Sequence, residues 1–432
     1  MSQPIYYYNR IYSLLKPYVD LCTRSSFRKY IVLGKENIPS DGAVILAPNH
    51  CNALIDALAV LAATKERKVF GARADAFTPM FSNILHFLKI LPMVRQRDGL
   101  RNVLKNIDTI ETITEVLEND VKFCIFNEGR HRAMHSLLPI GKGIFRSALA
   151  ANERFGKNKP VYVVPVGLEY ADYFRYRSKG VIVTFGQPLN ITEEVRKLSG
   201  EDEWTVYQSL RKSLKDRMSS LITYLPDDPD YQGKWAIIRI AATGKDLTMQ
   251  QRLEVNQANA ENIEAMADYD KETLKEIMSS AICFDNERKK AGISMLSLGK
   301  KHPLLGIALK SLTALVSLPY FIFCAIMSLP MWMTDAMLRC KIKDKTFYNS
   351  ASIGIKIGMT PVMIVLWACM FTCLFPWPAA AVLTLLSLPS YNFVWDYCEF
   401  TRIFVSDIRL ALNTTIRNEY SNIKSTLTVF NF

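Results

Sequence analysis

Between residues 32 and 225, short apolar runs of strand length alternate with stretches of helical periodicity. The runs are Val44–Ala47, Val69–Ala72, Val121–Phe126, Val161–Leu168 and Val181–Phe185, and helical spacing fills the intervals, as from Asn102 to Leu117. Alternation of this kind argues for an α/β fold, a mixed sheet flanked by helices.

The rest of the chain divides by composition. Residues 1–31 place Ile11, Leu14, Leu15, Tyr18, Val19 and Cys22 at helical spacing, ringed by Arg10, Lys16, Arg24, Arg28 and Lys29. This pattern suits a helix lying in a membrane interface, and equally an amphipathic helix packed on the domain; Pro17 is expected to kink or split it. Residues 226–303 are polar and rich in helix formers, and read as a helical arm. Residues 304–390 contain two apolar segments, Leu304–Met333 and Ile357–Leu388, each exceeding the roughly 20 residues a bilayer-spanning helix needs. Both are expected to be membrane-embedded, and residues 391–432 form a C-terminal tail. The basic residues Arg339, Lys341, Lys343 and Lys345 lie between the segments, and Lys289, Lys290, Lys300 and Lys301 precede them. Positive charge favours the cytosolic side. Two re-entrant hairpins, bent at Pro319 and Pro330 and at Pro361, Pro376 and Pro378, would keep every polar loop there; the alternative, one full span per segment, would put the basic loop on the side opposite the domain.

Charge narrows the class of partner. The net charge of +12 suits an anionic surface, either phospholipid or nucleic acid. With no dense basic tract and a very apolar C-terminal third, lipid is the better reading and no nucleic-acid partner is expected. The 9 cysteines are scattered without metal-ligand spacing, so reduced thiols and no bound metal are expected.

Polar clusters follow the apolar runs. Ala47-Pro48-Asn49-His50-Cys51-Asn52-Ala53-Leu54-Ile55-Asp56 puts a histidine and a carboxylate at a strand–helix junction. An imidazole held by a carboxylate is a general base suited to taking a proton from an alcohol. Arg95 and Arg97 follow Leu91-Pro92-Met93, and Asn127-Glu128-Gly129-Arg130-His131-Arg132 follows Phe126. In an open α/β sheet, groups that end strands share the cleft beyond the carboxyl edge. A base beside guanidinium groups, which grip phosphate by paired hydrogen bonds, describes a site activating a hydroxyl on a phosphorylated alcohol. The run Phe77, Met80, Phe81, Ile84, Leu85 and Leu88 suits an acyl groove, a core face or a membrane-contacting helix.

Here the sequence resembles the glycerolipid acyltransferase superfamily, which includes glycerol-3-phosphate and 1-acylglycerol-3-phosphate acyltransferases. The resemblance covers roughly Gly34 to Leu189. It rests on Asn49, His50 and Asp56, on Arg95, on Phe126 to Arg132, and on Pro165 within a strand. It departs from the family in three places. Five residues separate His50 from Asp56, one more than is usual; Asn127 stands for a proline; and Arg130 and His131 stand for a threonine and an arginine.

The resemblance implies that residues 32–225 are an acyltransferase domain. His50 would be the general base and Asp56 its orienting partner. Arg95, Arg97, Arg130 and Arg132 would bind acceptor phosphate, and Glu128 and Gly129 would shape that pocket. The acyl donor would be a thioester of coenzyme A or acyl carrier protein, used as co-substrate without a further cofactor. The acceptor would be glycerol-3-phosphate or its 1-acyl derivative, at the cytoplasmic face of the cell membrane or of an internal membrane. The alternatives are an inactive, acyltransferase-like lipid-binding scaffold, an acyltransferase for another lipid acceptor, and a lipid hydrolase.

Overall fold

The computed structural model describes residues 3–78, 82–93, 101–156, 158–177 and 180–432. The chain forms two compact units: Met1–Tyr173 with Lys179–Ile222, and Phe174–Ser178 with Thr223–Phe432.

In the first unit the order is α1 (Arg10–Arg24), β1 (Lys29–Leu33), β2 (Ala43–Pro48), α2 (Leu54–Ala63), β3 (Lys68–Arg73), α3 (Ser82–Phe87), β4 (Ile90–Met93), α4 (Arg101–Glu118), β5 (Lys122–Ile125), α5 (Gly143–Phe155), β6 (Val161–Tyr170), β7 (Gly180–Phe185), β8 (Leu189–Asn190), α6 (Ile191–Lys197) and α7 (Glu203–Ser219). Together these make the expected mixed α/β sheet, of 8 strands in the order β1-β7-β6-β2-β5-β3-β4, with β8 added beside β6. The strands β6, β2, β5, β3 and β4 run parallel, and β7 is antiparallel to β6. The carboxyl ends of β2, β5 and β6 therefore share one edge of the sheet, where an open sheet binds its ligands.

Central strands explain the apolar runs. Every residue of β2 is buried, as are Val163, Val164, Val166 and Leu168 of β6, so both faces are covered. Pro165 is tolerated in β6 because it falls in a gap: β8 pairs at Val163, β7 pairs from Val166, and the Pro165 carbonyl takes the Gly186 N–H at 2.9 Å.

α1 runs unbroken through Pro17, so the proline does not split it into two helices. Its inward face takes in only part of the apolar stripe, with Cys22 buried and Leu15, Tyr18 and Val19 half-buried. Ile11 and Leu14 are exposed, whereas Lys16 turns in to the carbonyls of Leu61 and Thr64, and Arg24 to that of Ala62. These carbonyls are the orphan acceptors at the end of α2, and cations there also oppose the helix dipole. Buried Lys68 joins them, bonding the Thr64 hydroxyl at 2.7 Å, and burial pulls its amine down to about 7. That tertiary grip holds α1 together across its proline.

The second unit contains α8 (Tyr231–Ala241), α9 (Met249–Tyr269), α10 (Lys271–Lys290), α11 (Leu304–Lys341), α12 (Tyr348–Leu374), α13 (Trp377–Ser387), α14 (Ser390–Leu412) and α15 (Thr414–Val429). Leu304–Lys341 and Lys345–Leu374 are long and apolar enough to cross a membrane. α11 is one helix of 38 residues that passes through Pro319 and Pro330, so the expected hairpin in the first apolar segment does not form. The second segment does turn, at Phe375 and Pro376, where α12 ends and α13 begins. Prolines inside apolar helices are absorbed where neighbours pack against them. Here Met327, Phe371 and Ala380 form a core joining α11, α12 and α13, and the Trp367 indole donates to the Met327 carbonyl at 2.9 Å. A short strap from the β6–β7 connection also folds with this unit. The Tyr176 hydroxyl donates to Asn392 at 3.1 Å, and Arg177 donates to Asp396 of α14 at 2.8 Å.

Candidate active site

The site grows out of the end of β2. Asn49 follows the strand and extends its ladder with its side chain. The amide oxygen accepts the Leu168 N–H at 2.7 Å, and its NH2 donates to the Leu168 carbonyl at 3.2 Å. This substitutes for one more pair of strand bonds and fixes where the chain leaves the sheet.

His50 is the next residue, and the loop to α2 then turns through Ala53 at φ 49, ψ −130. A residue with a Cβ rarely occupies that region. The extra residue between His50 and Asp56 is taken up in this loop, and the pair still meets: His50 Nδ1 lies 2.8 Å from Asp56 Oδ2. The same Oδ2 accepts the N–H groups of Cys51 at 2.8 Å and Asn52 at 2.7 Å. Asp56 thus pins the loop that leads into its own helix, and its negative charge in the first turn is favoured by the dipole. The other oxygen, Oδ1, accepts the Tyr170 hydroxyl at 2.8 Å. Asp56 is fully buried and His50 is 17% exposed, so the carboxylate is fixed inside while the imidazole reaches the surface.

The turn after β5 builds the other wall. Glu128 Oε1 accepts the His50 N–H and Oε2 accepts the Leu138 N–H, both at 2.9 Å. Burial pushes its carboxyl up to about 7, against the pull of those two N–H groups. Gly129 follows at φ 65, a left-handed position that glycine takes without strain. The Arg132 N–H donates to the His50 carbonyl at 3.1 Å. The His50 ring stacks on Phe126 with centroids 4.3 Å apart, and His131 approaches edge-on at 5.5 Å.

The structure therefore brings together His50, Asp56, Glu128 and the Gly129–Arg132 turn. Arg130 is exposed and Arg132 half-buried on that turn. Arg95 and Arg97 lie outside the described residues, as do Met80 and Phe81 of the apolar run; its Ile84 and Leu88 are exposed. Cys51 is no nucleophile: burial pushes its thiol well up, and nearby Asp56 adds to this. Tyr170 escaped the sequence reading because the apolar run was ended at Leu168. The strand continues two residues further, and a tyrosine at its carboxyl end was the available signal.

Arranged this way, the dyad presents a histidine whose Nδ1 is committed to a carboxylate, leaving Nε2 to exchange protons at the sheet edge. Residues 29–169 match the family model described as Acyltransferase. The glycerol-3-phosphate O-acyltransferase 2 of Saccharomyces cerevisiae is 32% identical over 130 residues, which are 29% of this chain and 17% of that protein. The chain thus matches well under two thirds of that relative. The crystal structure of the 1-acyl-sn-glycerophosphate (LPA) acyltransferase PlsC from Thermotoga maritima aligns at 17% identity with a TM-score of 0.35, covering 49% of this chain and 80% of that one. With His50, Asp56 and the Glu128–Arg132 turn all inside the matched segment, the chain carries an acyltransferase domain of the glycerolipid acyltransferase superfamily.

Proposed function

We propose that this protein is a membrane-bound O-acyltransferase of phospholipid synthesis that moves a fatty acyl group from a thioester to the hydroxyl of glycerol-3-phosphate or 1-acylglycerol-3-phosphate. The observation that carries the reading is the His50 Nδ1–Asp56 Oδ2 bond of 2.8 Å at the carboxyl edge of the parallel strands. With Nδ1–H donated to Asp56, Nε2 takes the acceptor's hydroxyl proton as the oxygen attacks the thioester carbonyl. The tetrahedral intermediate then collapses; the C–S bond breaks, the C–O bond remains, and the departing thiolate takes the proton back from the imidazolium. Asp56 holds the ring in the right tautomer and stabilises its charge. No acyl-enzyme is invoked, in keeping with the buried, unreactive Cys51 thiol.

Acceptor phosphate would be held by Arg95, Arg97, Arg130 and Arg132, with Glu128 and Gly129 shaping the turn. The acyl donor would be acyl-CoA or acyl carrier protein. Membrane attachment is supported by two bilayer-length helices with exposed apolar side chains, including Leu315, Val316, Val362 and Val365.

The test is thiol release from long-chain acyl-CoA or acyl carrier protein by the full chain in phospholipid bilayers, with glycerol-3-phosphate, with 1-acylglycerol-3-phosphate or with no acceptor. The proposal expects release that depends on a phosphorylated acceptor and yields its acylated product. Acceptor-independent release would make the protein a hydrolase, and no release with any donor would make it a scaffold.

A further inference from the structure

Asp56 divides its bonds unequally. Oδ2 is shared by His50 Nδ1, Cys51 N–H and Asn52 N–H, whereas Oδ1 takes the Tyr170 hydroxyl at 2.8 Å and, much more weakly, the Cys51 thiol at 3.9 Å. The first three donors sit on one loop, next to the helix that carries Asp56. Tyr170 comes from a different strand, 114 residues away in sequence. Its ring is 2% exposed and packs on Phe27 at 6.2 Å and Tyr173 at 6.0 Å, and its backbone is in register with Val181 of β7. Rigid elements thus fix its hydroxyl. It also lies one residue beyond the segment that matches the acyltransferase family.

We propose that Tyr170 is a positioning residue of the catalytic dyad, fixing the carboxylate plane of Asp56 so that Oδ2 faces His50 Nδ1. The proposal rests on the reading of His50 as general base. Without the Tyr170 bond the carboxylate loses its strong anchor on Oδ1, and only the contacts to Oδ2 and the weak Cys51 thiol resist a twist about Cβ–Cγ that would misalign the imidazole. Burial and the adjacent Asp56 push the phenol well up, so it stays a protonated donor throughout the working pH range. Other titratable groups face the dyad as well: Glu128 and His131 from the turn after β5, Cys51 from the loop, Glu169 from β6 and Tyr30 from β1. Of these, Cys51 also reaches Oδ1, but its thiol is a weak donor at 3.9 Å, against 2.8 Å for the Tyr170 hydroxyl.

The bond has a signed consequence. A donor to Asp56 favours the more negative dyad, which is the form with neutral imidazole. Deleting it disfavours that form, so the acid limb of activity moves to higher pH.

The experiment compares Tyr170→Phe, Asp56→Asn, the double variant and His50→Ala in the full-length, bilayer-embedded protein. Tyr170→Phe keeps the ring packing. Its kcat should fall about 10-fold with both Michaelis constants unchanged, and its acid limb should rise by about half a pH unit. In the Asp56→Asn background the same change should have little further effect, because Tyr170 acts through Asp56. Additive losses, or a Tyr170→Phe profile that matches the parent, would overturn the proposal while inactive His50→Ala keeps the base assignment standing. Full activity in His50→Ala would remove both. Should Tyr170→Phe not fold, 3-fluorotyrosine at position 170 keeps the bond with a stronger donor. It should move the acid limb to lower pH, and an unmoved limb would overturn the proposal.

Discussion

The Glu128 carboxylate accepts the backbone N–H of His50 at 2.9 Å, so the turn after β5 sets the main chain of the loop after β2. Because burial raises the Glu128 carboxyl to about 7, its ionisation opposes folding. The folded protein binds a proton that the unfolded chain has released between the ordinary carboxylate pKa, near 4.3, and about 7. Stability from this group is full below that window and is lost as pH rises through it. The melting temperature of the parent, taken relative to Glu128→Gln, should therefore increase as pH falls from about 8 to about 5. A difference that is flat or of opposite slope would contradict the assignment.

Ala53 stands at φ 49, ψ −130 in the loop that absorbs the extra residue between His50 and Asp56. Ala53→Gly should relieve that strain by more than glycine's added freedom in the unfolded chain costs. The net gain should be about 1 kcal/mol, roughly a 2–4 °C rise in melting temperature. A lower melting temperature would show that the loop is not strained at this position.

How much of this was legible in the sequence depends on where each group stands in the sheet. His50 and Glu128 each follow a buried parallel strand, and such strands are continuous apolar runs whose ends are visible. Their convergence follows from parallel order alone. β1 was not legible: it is a half-buried edge strand starting at Lys29, straight after a helix, with only β7 beside it. The inward turn of Lys16 and Arg24 was hidden for a different reason. Their partners are backbone carbonyls at the end of α2, and periodicity reads side chains only. Tyr170 was missed because its role depends on β6 continuing beyond its apolar run. The two prolines of α11 do not turn the chain back as the re-entrant reading expects, because packing in the second unit outweighs a local breaker.

Arginine variants should separate acceptor from donor. Changing Arg130, Arg132, Arg95 or Arg97 to Ala should raise the Michaelis constant for the phosphorylated acceptor by about 10- to 150-fold wherever the guanidinium grips phosphate. That for the acyl donor should stay within about twofold. Steady-state kinetics with each substrate varied in turn checks this, and unchanged acceptor constants in all four variants would place the phosphate pocket elsewhere.

The central claim is that His50 is the base for direct acyl transfer. Acceptor-dependent thiol release by His50→Ala, folded and membrane-associated like the parent, tests it most directly. The expected result is a fall of about 10²–10⁴-fold in kcat with acceptor and donor binding retained. Turnover near that of the parent in a folded His50→Ala protein would contradict it.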